Sequence, residues 1–501
     1  MRMTWVGQAV SLYLLVLGFA CDATVGVPGS LDTSYGTGGI VITPLVSGQD
    51  RINAVALQPD GKILFAGSCR GVTYSDFCAL RYLANGSLDA TFGSGGRVIT
   101  PIGIDNDNAM ATVLQPDGKV LLAGTCSGAL TLDFCALRYL ANGTLDASFG
   151  SGGKVITDVG SADDNVRAVI LQPDGKVVLG GSCVVVNTTD FCAVRYMNDG
   201  TLDASFGTNG KAITSLGSSL ETVTSMVLQA DGKIVLAGDC GGNGFNADFC
   251  ALRYLANGSL DANFGTNGKV TTPVGSNDDF SSALVLQPDG KLLHAGYCRI
   301  VDINYDFCTV RYNADGTLET TFGTSGKVIT AIGVDRDYAS GIALQPDGKI
   351  ILTGWCATSA SNFDFCALRY NADGSLDATF GTSGKVVTPV GSGNTMDIAS
   401  AVALQPDGKI VIAGYCNGST LTACSLRYDG GPFGYQNCKL DVDGDNQVLA
   451  TTDSLIHARI ALGITGNAVV SGITFPPNAT RNTWPLIRDY LVRHCGMSLV
   501  K

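Results

Sequence analysis

The run of residues best suited to holding a metal lies near the C-terminus, Asp441-Val-Asp-Gly-Asp-Asn-Gln-Val. Asp441, Asp443 and Asp445 stand at loop positions 1, 3 and 5, and the Gln447 carbonyl falls at 7. Asp453 follows at position 13, one beyond the usual 12. Oxygen donors at this spacing suit a hard cation, so calcium is the expected cofactor; the plainer reading is an Asp-rich turn. A second set of acids is spread along the chain. Seven residues before each of seven Leu-Gln-(Pro/Ala)-Asp-Gly leucines stands a carboxylate: Asp50, Asp107, Asp164, Glu221, Asp279, Asp337 and Asp397. If the strands they open line a channel, the seven would ring one mouth and attract a cation or cationic ligand. The alternative is that each caps its own strand or pairs with a recurring arginine (Arg81, Arg138, Arg195, Arg253, Arg311, Arg369, Arg427). Seven equivalent positions speak more for construction than for a ligand.

Other chemistries find little support. The chain has 3 histidines, no His-Glu-x-x-His and no His beside a nucleophile motif, which argues against triad or zinc hydrolysis. His294 sits among apolar neighbours and reads as packed or lining a groove. Phe-Gly-Thr-(Ser/Asn)-Gly-Lys precedes a strand, not a helix, and lacks the phosphate-loop spacing. A carboxylate pair on one face would allow glycosidase or lyase chemistry, but such enzymes need non-equivalent acid and base, and these acids are equivalent.

Of 17 cysteines, fourteen form one pair per repeat: Cys69/Cys78, Cys126/Cys135, Cys183/Cys192, Cys240/Cys250, Cys298/Cys308, Cys356/Cys366 and Cys416/Cys424. Cys438 and Cys495 bracket the C-terminal segment, and Cys21 is left over. The gaps lack the Cys-x-x-Cys spacing and nearby His of zinc sites, so disulfides in an oxidising compartment are expected.

The elements that must position these residues are repeated. Heads begin at Leu57, Leu114, Leu171, Leu228, Leu286, Leu344 and Leu404. Each copy reads as four strands, for which the first gives Ile52–Leu57, Lys62–Cys69, Phe77–Leu83 and Arg97–Thr100. Gln-Pro-Asp-Gly and Asn-Gly supply the hairpin turns, since Pro presets φ and Gly accepts a positive one. The two cysteines of a copy then fall on neighbouring antiparallel strands. They are expected directly opposite each other, with Cα atoms roughly 4.5–5.5 Å apart and within disulfide reach.

The last copy stops at Tyr428 without a fourth strand, while Gly29–Thr43 is a tail without a head. Complementary ends of this kind predict an all-β fold: a seven-bladed β-propeller of four-stranded antiparallel blades, closed by the N-terminal strand Ile40–Thr43 beside Ser425–Tyr428. A linear solenoid, the competing arrangement, would carry distinct polar caps instead.

Residues 1–23 read as a secretory signal peptide, with Arg2 ahead of the apolar run Val10–Phe19. Residues 24–430 would form the propeller and 431–501 a small calcium-binding α-helical module. Cys21 leaves a lipid-anchored form open beside a secreted, cell-surface or periplasmic one. No later stretch is long and apolar enough to span a bilayer. The formal charge of −12, with no basic stripe, disfavours nucleic acid and anionic membranes.

Leu-Gln-Pro-Asp-Gly-Lys-Ile…Ala-Gly, Leu-Arg-Tyr-x-Ala-Asn-Gly-Ser-Leu-Asp and Phe-Gly-x-x-Gly-Lys-Val together resemble the Delta-60 repeat family over about Gly29–Tyr428. The resemblance implies an extracellular bacterial β-propeller of NHL-like style and implies no particular chemistry. The C-terminal loop, followed by apolar Leu455, Ile456, Ile460 and Leu462 at helical spacing and a second helix over Trp484–His494, resembles one half of a dockerin. The second Asp-rich loop of a dockerin is missing. The leading functional expectation is an exported, monomeric, non-catalytic binding or adhesion scaffold. Loops that vary between copies, such as Arg70–Ser75 and Gly241–Ala247, would meet a surface glycan or extracellular protein. A carbohydrate-active enzyme and a purely structural surface protein are the alternatives.

Overall fold

The computed structural model describes residues 26–431 apart from 45–49, 72, 129, 243–244, 302–303, 360–361, 391–395 and 418–420. Beyond these it describes positions 443, 452, 455–456, 459, 466–477 and 479–488. The signal-peptide reading, Cys21, Cys438 and Cys495 lie outside the described residues.

The chain opens with β1 (Ile40–Thr43) and then lays down blades in sequence order. Blade one is β2 (Arg51–Leu57), β3 (Ile63–Arg70), β4 (Ser75–Tyr82) and β5 (Arg97–Thr100). Blade two is β6 (Asn108–Leu114), β7 (Val120–Ser127), β8 (Leu132–Tyr139) and β9 (Lys154–Thr157). Blade three is β10 (Asp164–Leu171), β11 (Val177–Val185), β12 (Thr188–Tyr196) and β13 (Lys211–Thr214). Blade four is β14 (Leu220–Leu228), β15 (Ile234–Gly242), β16 (Phe245–Tyr254) and β17 (Lys269–Thr272). Blade five is β18 (Asp279–Leu286), β19 (Leu292–Val301), β20 (Asn304–Tyr312) and β21 (Lys327–Thr330). Blade six is β22 (Asp337–Leu344), β23 (Ile350–Ser359), β24 (Asn362–Tyr370) and β25 (Lys385–Thr388). Blade seven is β26 (Asp397–Leu404), β27 (Ile410–Asn417) and β28 (Leu421–Tyr428), with β1 as its fourth strand. The β1–β28 pairing is antiparallel, from Ile40 opposite Leu426 to Thr43 opposite Ala423.

Each inner hairpin follows from its turn residues. Gly61 takes φ +85°, Gln58 and Lys62 close the turn at 2.8 Å, and Asp60 accepts the Lys62 amide at 3.2 Å. Only glycine takes that φ without strain. The inner strand then carries a β-bulge, which in blade one leaves Asn53 out of register between Ile52 and Ala54. Opposite it, Gly67 lets the strands approach so closely that a Cβ there would sit 1.9 Å from the Arg51 carbonyl. Bulges recur at the same place in all seven inner strands.

Blades are held together by cores that lie between them. Leu64, Phe77 and Phe92 of blade one pack with Val120, Leu122 and Tyr139 of blade two. Val41, Val411 and Ala413 of blade seven pack in the same way with Ile63, Phe65 and Tyr82 of blade one. Because the second and third strands of each blade meet a sheet on both faces, they read as unbroken apolar runs.

The recurring arginine is the polar counterpart of these cores. Arg81 donates through Nε to Asp89 at 2.8 Å, lies 4.6 Å over the Phe92 ring, and reaches the Ala141 carbonyl of the next blade at 2.5 Å. Each of its six counterparts reaches the next blade's backbone in the same way, Arg427 ending on Ala84 of blade one at 2.5 Å. Tyrosines add a second stitch, as where Tyr139 donates to Thr100 at 2.7 Å.

Seven disulfides join the second and third strands within the blades: Cys69–Cys78, Cys126–Cys135, Cys183–Cys192, Cys240–Cys250, Cys298–Cys308, Cys356–Cys366 and Cys416–Cys424. The pairing is as expected from the sequence, but the expected direct opposition of the two cysteines is corrected by the register. In blade one Cys69 faces Asp76 while Cys78 faces Gly67. The later blades repeat this offset. Cys135 faces Gly124, Cys192 faces Gly181 and Cys250 faces Gly238. Cys308, Cys366 and Cys424 likewise face Gly296, Gly354 and Gly414. Each bond therefore runs along a diagonal of its ladder. Cα atoms are still only 5.6 Å apart in Cys69–Cys78 and 5.9 Å apart in Cys126–Cys135, since sheet twist shortens one of the two diagonals. The offset leaves a glycine opposite every second cysteine, on the strand that must pass close to the bulge.

Among the described residues, no helix is long and apolar enough to cross a membrane. The C-terminal segment shows helical turns at 455–456 and 484–488 and a short 3-10 turn at Gly466–Val469. Ile456, Val469, Trp484 and Ile487 are buried there.

Candidate functional site: an aromatic arc and an arginine-lined axis

The seven acids expected at a channel mouth are all buried, at most 1% exposed. In blades two to six the loop that precedes the inner strand folds back over its carboxylate and donates backbone N–H groups. Asp107 accepts from Ile102 at 2.7 Å and Gly103 at 3.0 Å, and Asp337 from Gly333 at 3.0 Å. Asp164 and Asp279 are held likewise by Val159 and Val274, Glu221 by Leu216, Gly217 and Ser218, and Asp397 by Val390. Asp50 differs in accepting from Arg70, at the end of the second strand. Burial pushes Asp164, Asp279 and Asp337 up to about 6 even against those donors. None of the seven takes the recurring arginine, whose partner is the acid of the Leu-Asp turn instead, as with Asp146, Asp203 or Asp377.

Of the expected calcium ligands, Asp441, Asp445, Gln447 and Asp453 lie outside the described residues. Asp443 is fully buried and its carbonyl accepts the Arg481 amide at 2.8 Å. His294 is fully buried, stacked on Phe249 at 4.4 Å and in contact with Ser281 Oγ at 2.6 Å. Burial holds its imidazole down at about 3, which makes it a neutral packing group.

What breaks the repeat lies on the rim that carries the variable loops. The residue before the first cysteine of each blade is Ser68, Thr125 or Ser182 in blades one to three, but Tyr297, Trp355 and Tyr415 in blades five to seven. Opposite Tyr297 and Trp355 in register stand Phe280 and Tyr338. The third strands add Tyr305 and Phe363. All of these except Tyr415 form one continuous cluster: Tyr338 stacks on Trp355 at 4.0 Å, Tyr297 meets Tyr338 edge-on at 4.9 Å, and Tyr305 lies over Tyr338 at 5.7 Å. All are half-buried, leaving aromatic surface open to solvent. No blade-building role requires them, because the equivalent positions of other blades do without.

Tyr415 belongs instead to the axis. Arg51 of blade one lies 5.5 Å over the Tyr415 ring. Arg51, Tyr415 and the bulge residues Asn53, Met110, Arg167 and Ser400 line a cavity of about 330 Å³. Four blades contribute to it, so it lies where the inner strands converge. In blade four the position before the cysteine is Asp239, which accepts the Ser281 amide and the Thr222 hydroxyl. Burial raises its carboxyl to about 7, with Arg167 pulling in the opposite direction.

Neither the arc nor Asp239 was expected from the sequence, since a search for repeats sets aside the columns that do not repeat. Reading the residue before each first cysteine across the seven copies would have exposed both.

Fold and rim together define a seven-bladed, disulfide-stapled β-propeller with one differentiated sector. Residues 58–92, 115–149, 172–206, 229–264, 287–322, 345–380 and 405–422 match the family described as "Domain of unknown function (DUF5122) beta-propeller". No curated protein matches the chain. Among solved structures it is similar to a virginiamycin B lyase from Staphylococcus aureus with quinupristin, at 9% identity and TM-score 0.43 over 77% of this chain and 98% of that one. It is also similar to the polysaccharide lyase Uly1, at 12% identity and TM-score 0.40 over 79% and 91%. A third is Drosophila Semaphorin 1b, extracellular domains 1-2, at 8% identity and TM-score 0.40 over 80% and 87%. The chemistry of this chain has to be read from its own residues.

Proposed function

We propose that the protein is an exported, non-catalytic binding scaffold that holds a glycan against its aromatic arc. The observation that carries this reading is the Tyr338–Trp355 stack with its neighbours, present in one sector of seven equivalent blades and half open to solvent. Flat aromatic faces offer apolar surface to the C–H faces of sugar rings while the tyrosine hydroxyls remain for hydrogen bonding. A solvent-facing patch of this kind is retained for contact with a partner. Seven disulfides fit an oxidising, extracellular setting. Export through the 1–23 signal and the Delta-60 likeness belong to the same reading.

Calorimetric titration with a panel of soluble oligosaccharides tests it. Wild type should bind at least one class, and Trp355→Ala should weaken that binding about tenfold or more. A Trp355→Ala protein that binds as wild type does would sink the reading.

The C-terminal module belongs to this proposal as a calcium-stabilised unit. A buried Asp443 carboxylate fits an oxygen-donor site, for which Asp441, Asp445, Gln447 and Asp453 would supply the other donors. EDTA should lower the melting temperature of the full chain and calcium should restore it.

A second reading is favoured by one residue. Asp239 is the only acid among the seven positions before the first cysteine, and its carboxyl, at about 7, suits proton transfer at neutral pH. If the protein turns over polysaccharide, Asp239→Asn should abolish turnover and Asp164→Asn should not.

A further inference from the structure

We infer that the glycan held by this scaffold is anionic, and that Arg51 and Arg167 bind its carboxylate or sulfate group inside the axial cavity. The inference rests on the glycan reading and adds the substrate class.

Charge singles out the cavity. The protein carries a formal −12, yet the residues lining this space include two arginines and no Asp or Glu. The seven recurring blade arginines each have a carboxylate partner, as in Arg81 with Asp89 or Arg427 with Asp32. Among the described residues, no carboxylate forms an ion pair with Arg51 or Arg167. Asp239 acts on Arg167 only at longer range, its own oxygens being taken by Ser281 and Thr222.

Position favours a ligand too. Arg167 is a bulge residue, outside the register of its sheet, where blade two has Met110 and blade seven Ser400. The fold therefore does not ask for a cation there. Arg167 is exposed to solvent at this place, as is Arg51, so both guanidinium groups are open to an incoming anion. The remaining lining offers neutral hydrogen-bonding groups, Asn53, Asn108, Asn165 and Ser400, suited to sugar hydroxyls. Tyr415, whose ring Arg51 covers, belongs to blade seven, and the Tyr338–Trp355 stack belongs to blade six, so pocket and aromatic cluster occupy neighbouring blades. A planar guanidinium meets a carboxylate or a sulfate with paired hydrogen bonds, which a neutral sugar cannot return.

Three soluble probes separate the possibilities: oligogalacturonate for carboxylates, a sulfated galactan oligomer for sulfate esters, and galacto-oligosaccharide as the neutral control. Wild type should bind one anionic probe at least tenfold more tightly than the neutral one, and added salt should erode that margin. Arg51→Gln and Arg167→Gln should each weaken anionic binding roughly tenfold to a hundredfold, while neutral binding and thermal unfolding stay as in wild type. Trp355→Ala should weaken both. Equal affinity for neutral and anionic probes, or anionic binding unchanged in the Arg51→Gln/Arg167→Gln double variant, overturns the inference and leaves the glycan reading standing. Binding of none of the three overturns the inference, and binding of nothing in the wider oligosaccharide panel overturns the glycan reading as well. Should a variant unfold, Arg167→Lys, which keeps the charge and loses the fork, must show an intermediate affinity.

Discussion

Arg427 donates through Nε to Asp32 at 2.7 Å, and the two residues stand 395 positions apart in the chain. Asp32 takes the place that Asp89 holds for Arg81 in blade one. The seventh blade thus borrows from the N-terminus both its outer strand and the acid for its buried arginine.

This borrowing predicts that Asp32→Ala acts on the whole propeller. Leaving a buried guanidinium without its carboxylate costs about 3–5 kcal/mol. The change should lower the urea midpoint by a corresponding amount and expose residues 26–43 to protease before the rest. A variant as stable and as protease-resistant as wild type would contradict the arrangement.

Stability should peak on the acid side of neutrality. Asp89, Asp146 and Asp203 are buried, which works against ionisation, but the hydroxyl and amide of the next residue but one together with the arginine outweigh this and draw them to about 2. Their contribution is complete above the ordinary value of 3.8 and is lost as pH falls toward 2. Asp164, Asp279 and Asp337 are shifted the other way, to about 6, so the fold takes up protons between 3.8 and 6 and gains stability as pH falls through that window. Denaturant midpoints should be higher at pH 5 than at pH 7.5. A steady rise from 5 to 7.5 would show that the buried loop-capping acids do not behave in this way.

The bulge makes Gly67 irreplaceable. An alanine Cβ would meet the Arg51 carbonyl at 1.9 Å, and that atom is backbone, which cannot swing aside as a side chain would. Gly67→Ala should cost about 1–3 kcal/mol or more, read as a lowered melting temperature. Gly95→Ala, where a Cβ would meet nothing within 4 Å but φ is +62°, should cost only about 1 kcal/mol.

The blade plan was legible because it is written seven times: Gln-Pro-Asp-Gly announces a hairpin wherever it stands, and Ile40–Thr43 could be matched to a missing fourth strand by simple subtraction. Ile40–Thr43 and Arg97–Thr100 were placed to the residue, and the first blade's inner strand to within one. Cysteine partners were legible too, since each repeat holds two, but not the two-residue offset that sets Cys78 against Gly67, because register is decided by the loop between the strands. Contacts that depend on how blades lean on one another were not legible. Asp89 sits in a turn that reads as Leu-Asp-Ala-Thr, with nothing local to mark it as the partner of Arg81. The burial of Asp107 depends on a loop folding back so that the Ile102 and Gly103 amides point at it. Trp355 and Tyr338 escaped notice because each is an exception in its column, and periodicity is a statement about columns that agree.

One irregularity of the inner strands bears on how such a molecule changes its specificity. Asn53, Met110, Arg167 and their four counterparts are surplus to the pairing of their sheets, though Asn53 and Ser282 still bond the next blade's backbone, so a mutation there edits the axis while the strand ladders stay paired. Gene duplication would have delivered seven identical inserts into a common hub, and drift at seven separable letters is enough to turn a neutral spindle into a selective one. The architecture is in that sense a combination lock whose tumblers can be reset one at a time.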